Sequence, residues 1–91
     1  MNASSTNTQE THLIYTFPKG NEEKVQIAIK KYKGRYYMDF RVWFQGKETQ
    51  QFYPTKKGLS LSLDYLQEFK KGISELLKSA PKYNSNSELN V

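Results

Sequence analysis

The chain has 91 residues, a formal charge of +5 and no cysteine, which leaves room for one small domain and excludes a disulfide framework or a thiolate metal site as its staple. A domain of about 60 ordered residues buries only about 60% of the surface its unfolded chain exposes, so a partner subunit is the remaining source of stability. No stretch reads as a secretory leader and no apolar run is long enough to span a bilayer; the expected setting is inside a cell and away from membranes, in cytoplasm or nucleoid for a bacterial chain and in the nucleus for a eukaryotic one.

Residues 1–18 read as a flexible polar tail. Within it the apolar run Leu13-Ile14-Tyr15-Thr16-Phe17 suits a short edge strand or an arm, broken by Pro18 and Gly20. Residues 19–80 form the expected domain. It opens with two runs of strict alternation, the period of half-buried strands. In the first, Val25, Ile27 and Ile29 share a face, with Gln26, Ala28, Lys30 and Tyr32 opposite. In the second, Tyr36, Met38, Phe40, Val42 and Phe44 share a face, with Arg35, Tyr37, Asp39, Arg41 and Trp43 opposite. Lys33-Gly34 is the expected hairpin turn, and Gln45-Gly46-Lys47 a second one. A third, more polar strand is expected from Glu48 to Tyr53, ended by Pro54, which cannot donate to a ladder. Lys56-Lys57-Gly58 then turns the chain into a short fourth strand, Leu59 to Leu61.

After Leu61 the period changes from 2 to 3.6. Ser62 is suited to cap a helix, with Asp64 in its first turn where the dipole favours a carboxylate. Leu66, Phe69, Ile73, Leu76 and Leu77 form an apolar stripe, and Gln67, Lys70, Lys71, Ser74 and Lys78 face away. Gly72 costs the helix about 1 kcal/mol relative to alanine, which points to a bend or to a second backbone close by. Pro81 ends the helix, and residues 81–91 read as a disordered tail. The expected fold class is α+β: a four-stranded antiparallel curved sheet followed by one C-terminal helix that covers one of its faces. The apolar sheet row is longer than one helix can cover, which again calls for a homodimer.

Charge is concentrated in the middle of the chain. Between Lys24 and Lys57 nine basic residues face only Asp39 and Glu48, a net of +7, whereas Gly58 to Ala80 is neutral. The polar sheet face interleaves cations with rings: Lys30, Tyr32, Lys33, Arg35, Tyr37, Arg41 and Trp43, with Lys56 and Lys57 in a nearby loop. Cations follow phosphates and rings stack on splayed bases, whereas a duplex hides its base faces. The pattern therefore suits single-stranded nucleic acid or melted duplex, and it does not distinguish DNA from RNA. A solvated basic surface is the plainer reading, and Tyr37 and Trp43 also suit the rim of a core or of a dimer contact. Asp39 reads as a cross-strand partner for a lysine or arginine. Catalysis lacks its parts: the single histidine, His12, lies in the expected tail, and there is neither a carboxylate pair nor a phosphate-cradling loop ahead of a helix. No enzyme activity, metal or cofactor is expected.

The order of residues resembles a known family. Tyr32-Lys33-Gly34-Arg35, the strand Tyr36-Tyr37-Met38-Asp39-Phe40-Arg41, the pair Trp43-Phe44, and Pro54-Thr55-Lys56-Lys57-Gly58-Leu59-Ser60-Leu61 ahead of an amphipathic helix look like the transcriptional coactivators called positive cofactor four. The likeness runs from Val25 to Leu77. It implies a ββββα protomer, a dimer built largely through the helices, which places Leu66, Phe69, Ile73, Leu76 and Leu77 at the interface, and sheets that form channels for single strands. It further implies a ring from Tyr32, cations from Lys30, Lys33, Arg35, Arg41 and Lys57, and a stacking ring at Phe44 or its neighbour Trp43. The alternation puts Phe44 on the buried face, so a bulge is needed to expose it. Thr55 replaces a usual glycine and Leu66 a usual tryptophan, without loss of a binding group. The long acidic, serine-rich tail of the eukaryotic coactivators is missing, which suits a compact bacterial or viral member. The topology also resembles Pur-alpha repeats and Whirly proteins, which bind single strands. The expected role is sequence-tolerant single-strand binding in transcription, replication or repair. The alternatives are an adaptor that meets acidic partners in the transcription machinery, or an RNA-binding protein using the same face.

Overall fold

The computed structural model describes residues 10–83. Four strands, β1 (Glu10–Lys19), β2 (Glu23–Tyr32), β3 (Arg35–Gln45) and β4 (Phe52–Ser62), form one antiparallel meander in chain order. A 3₁₀ turn (Leu63–Tyr65) leads into the helix α1 (Leu66–Ser79), and a second 3₁₀ turn containing Pro81 follows it (Ala80–Lys82). The parts of the expected tails at residues 1–9 and 84–91 lie outside the described residues.

The β2–β3 hairpin follows the alternation. Val25 faces Val42, Ile27 faces Phe40 and Ile29 faces Met38 on one side of the sheet. On the other side Lys30 faces Tyr37, Ala28 faces Asp39 and Gln26 faces Arg41. Two consecutive positive φ angles, Lys33 (51°) and Gly34 (79°), close the hairpin, as a tight turn matched to the strand twist requires.

Two strands differ from expectation. The N-terminal strand is ten residues long, exposed throughout, and paired with β2 from Glu10 to Lys19, with an irregularity at Ile14. Pro18 does not end it, because on an edge strand its missing donor can face outward. The two short strands expected at Glu48–Tyr53 and Leu59–Leu61 are one strand, β4; Glu48 belongs instead to the loop before it. Lys56-Lys57-Gly58 makes no turn, and Gly58 is not among the positive-φ glycines. The chain bulges there: Arg41 faces Gly58 while Trp43 faces Pro54, four steps on β4 against two on β3. Thr55 satisfies the interrupted ladder, its Oγ1 donating to Val42 O (2.7 Å) and accepting from Lys57 N (3.1 Å). The glycine serves contact rather than turning, since a Cβ on Gly58 would stand 2.5 Å from Phe40 O.

Ser62 caps as its sequence position suggests, Oγ accepting from Asp64 N at 3.1 Å. The helix lies on the side of Phe40 and Leu61 but does not cover it. Its main anchor is Phe69, stacked on Phe40 with centroids 4.9 Å apart. Beside this contact runs an open apolar groove of about 690 Å³ lined by Leu61, Tyr65, Phe69, Gly72, Ile73 and Leu76. Leu76 and Leu77 are 64% and 71% exposed, and among the described residues nothing beyond its chain neighbours and its own helix backbone comes within 4 Å of a Cβ built on Gly72. The fold is 54 Å long and 18 Å thick with a radius of gyration of 16.7 Å, against about 12 Å for a compact chain of this length. Among the described residues only Ala28, Met38 and Asp39 are buried. One sheet and one barely docked helix enclose little core between them.

Candidate nucleic-acid interface

The polar face is organised by the β2–β3–β4 register. From Tyr37 to Trp43 the same-side residues of β3 span about 20 Å at the usual strand rise. At one end Tyr32 faces Arg35, and Lys33 in the turn places its Nζ 5.3 Å from the Tyr32 ring centroid. In the middle Lys30, Tyr32, Tyr37, Asp39, Arg41 and Ser60 line a recess of about 270 Å³. At the far end Lys24 faces Trp43, and Lys24 Nζ sits 4.2 Å from the Phe52 ring centroid, a cation–π contact.

Asp39 is the electrostatic hub of the middle. Its side chain is 5% exposed and its Oδ1 accepts from Arg41 Nη2 (2.8 Å), its Oδ2 from Arg41 Nε (3.1 Å), while Lys30 Nζ lies 3.6 Å from Oδ2. Bidentate charged pairs of this kind are the strongest side-chain hydrogen bonds. They hold the Arg41 pKa above its ordinary value, against the opposing effect of desolvation. Arg41 Nη1 also donates to Thr55 O (3.2 Å). The three charges leave one net positive charge here, not two.

The sequence-predicted residues divide between the two faces. Lys30, Tyr32, Tyr37 and Arg41 converge on the central recess, and Trp43 shares their side, half-buried. Arg35 lies at the sheet end beside Tyr36, Ser62, Leu63 and Asp64. Lys56 is exposed on β4. Lys57 points the other way, bordering a shallow groove with Val25, Phe40, Val42 and Leu59. Phe44 also lies on the apolar side, paired with Tyr53 at 6.0 Å between ring centroids. It needs no bulge to be exposed, because the helix does not reach it and 44% of it stays open. With Lys19, Glu22, Glu23 and Thr55 it lines a second recess of about 580 Å³. There Lys19 Nζ donates to Glu23 Oε1 (2.8 Å) and holds the Glu23 carboxyl below its usual range, with Lys57 adding a weaker pull. The helix residues Leu66, Ile73, Leu76 and Leu77 form a continuous exposed strip with half-buried Phe69.

Sequence reasoning missed Lys24 and Phe52. Lys24 extends the alternation of Gln26, Ala28 and Lys30 by one step and was legible. Phe52 was hidden by the assumed polar strand that began at Glu48. Among the described residues no group of three or more potential metal ligands occurs, and no helix is long and apolar enough to cross a membrane.

Comparison with known proteins gives a consistent picture. The model of the family described as Transcriptional Coactivator p15 (PC4) matches residues 19–74. Two crystal forms of BPSL1147, a PC4 homolog from Burkholderia pseudomallei, superpose with TM-scores of 0.65 and 0.63 at 27% and 28% identity. They cover 77% and 74% of this chain and 98% and 86% of theirs. A bacteriophage T5 homolog of the eukaryotic coactivator PC4, implicated in recombination-dependent DNA replication, matches at 19% identity and a TM-score of 0.55 over 90% of this chain and 98% of its own, a likeness of fold. No curated protein matches the sequence.

Proposed function

The chain belongs to the Transcriptional Coactivator p15 (PC4) family, and from that premise we propose that it is a non-catalytic protein that binds single-stranded DNA, largely without regard to sequence, on the polar face of its sheet. The observation that carries the reading is the recess where Lys30, Tyr32, Tyr37 and Arg41 meet, extended along the strands toward Trp43 and the Lys24–Phe52 pair. Cations at this spacing neutralise successive phosphates, and rings among them offer stacking surface to unpaired bases. Phe44, Tyr53 and Lys57 at the margin of the other face suit a strand that wraps over the β4 edge.

The working unit in this proposal is a homodimer. The strip Leu66, Phe69, Ile73, Leu76 and Leu77, the bare backbone at Gly72 and the uncovered row on β2 and β3 leave an apolar face that a second copy would complete. Such a dimer would act inside the cell wherever duplex is opened, in transcription or replication.

A competition assay tests this. Fluorescence anisotropy with single-stranded DNA, duplex DNA and RNA of one length, with mass measured by light scattering, should show a dimer that prefers single-stranded DNA over duplex and loses affinity steeply with salt. Equal affinity for duplex, or affinity indifferent to salt, contradicts the proposal.

A further inference from the structure

A binding face for phosphates would gain most from cations alone, yet its centre holds a buried carboxylate. Asp39 is 4% exposed, and a carboxylate is costly to take from water unless charge and hydrogen bonds replace its hydration. Arg41 and Lys30 supply them from either side. The neighbouring residues are small: Ala28 faces Asp39 from β2, Ser60 from β4, and Gly58 faces Arg41. A Cβ at Gly58 would lie 2.9 Å from Arg41 Cζ and Nη1, so the guanidinium rests in a slot that only glycine leaves open. Thr55 O accepts a hydrogen bond from Nη1. A guanidinium has five N–H donors; three are held inside the protein, and one on each of Nη1 and Nη2 remains.

Resting on the function proposed above, we infer that Asp39 is a positioning residue: it strengthens phosphate binding by fixing Arg41 and Lys30 over the face, although it removes one unit of positive charge. Free arginine and lysine side chains carry large rotamer entropy that binding would take away. Side chains held in place before the ligand arrives lose less. Simple charge counting gives the opposite sign, because a negative group lowers the attraction for phosphate. The two effects therefore separate when the charge is deleted and the shape kept.

The experiment compares the wild type, Asp39→Asn, Arg41→Lys and the double variant, by anisotropy titration of an oligothymidylate over a series of salt concentrations, with folding checked by circular dichroism. Asp39→Asn should bind about twofold or more weakly, the lower end of the range of coupling between contacting residues, with a salt dependence at least as steep as the wild type's. Arg41→Lys keeps the charge but loses the planar fork, and should weaken binding by a similar factor. In that background Asp39→Asn should add little. Equal or tighter binding by folded Asp39→Asn overturns the inference. Should Asp39→Asn fail to fold, Arg41→Lys decides alone, and wild-type affinity in that variant overturns it. Wild-type protein that ignores the oligonucleotide altogether is a separate result, which refutes the proposed function and removes the ground of this inference with it.

Discussion

Replacing Gly58 by alanine adds a single methyl group at the point where β4 crosses β3. That carbon would meet Phe40 O at 2.5 Å and Arg41 Cζ and Nη1 at 2.9 Å. The carbonyl belongs to the central strand and cannot retreat without disturbing the Phe40–Leu59 step of the register. Overpacking of this kind costs about 1–3 kcal/mol. Displacing the guanidinium loosens one partner of the buried Asp39, and outright loss of a buried ionic partner costs about 3–5 kcal/mol. Lys30 remains as a second partner, so a total of about 2–4 kcal/mol is expected. For a domain of this size each kcal/mol moves the melting temperature by about 4–8 °C, a drop of roughly 8–32 °C. Thermal unfolding followed by circular dichroism at fixed protein concentration measures it. A melting temperature within about 2 °C of the wild type's would refute the claim that glycine is needed here for contact.

Three further outcomes are expected. Trp43→Ala or Tyr37→Ala should weaken oligonucleotide binding by about 1–3 kcal/mol for each stacked base lost with little change in salt slope, whereas Lys56→Ala should lower that slope by about one; anisotropy over a salt series distinguishes the two. Leu76→Glu with Leu77→Glu places charges in the apolar strip and should convert the proposed dimer to monomer in light scattering, while substitutions at the exposed Lys70 and Lys71 leave the mass unchanged. The lowered Glu23 pKa means that its pairing with Lys19 stabilises the fold above the ordinary glutamate range and is lost as pH falls through the lowered folded value. Carboxyl-carbon NMR should therefore find Glu23 titrating below the ordinary glutamate range in the wild type and near it in Lys19→Ala.

Much of this architecture is legible in the residues, and the failures have physical causes. The alternation at Val25–Ile29 and Tyr36–Phe44 yields the faces of β2 and β3 because both strands are central and packing on each side differs. β1 carries no such mark, since all of it is exposed and neither face constrains its pattern. Lys56-Lys57-Gly58 reads as a turn because glycine usually supplies positive φ; here it admits a carbonyl and a guanidinium, a demand set by strands distant in sequence. The helix stripe is plain, but the sequence cannot tell cover for its own sheet from cover for a second copy. At the site, the convergence of Lys30, Tyr32, Tyr37 and Arg41 follows from period and register alone. The turn of Phe44 and Lys57 to the opposite side does not follow for both: alternation places Phe44, whereas Lys57 depends on the β4 bulge. That Asp39 pairs with a cation was legible, and that it holds two was not.

The central claim is that unpaired bases meet the polar face of the sheet. Titrating isotope-labelled protein with an oligothymidylate and following side-chain and amide shifts by NMR tests it most directly. The largest changes should fall on Lys30, Tyr32, Tyr37, Arg41 and the indole of Trp43, the chain's only tryptophan. Changes concentrated on the helix strip from Leu66 to Leu77, with the polar face silent, would contradict it.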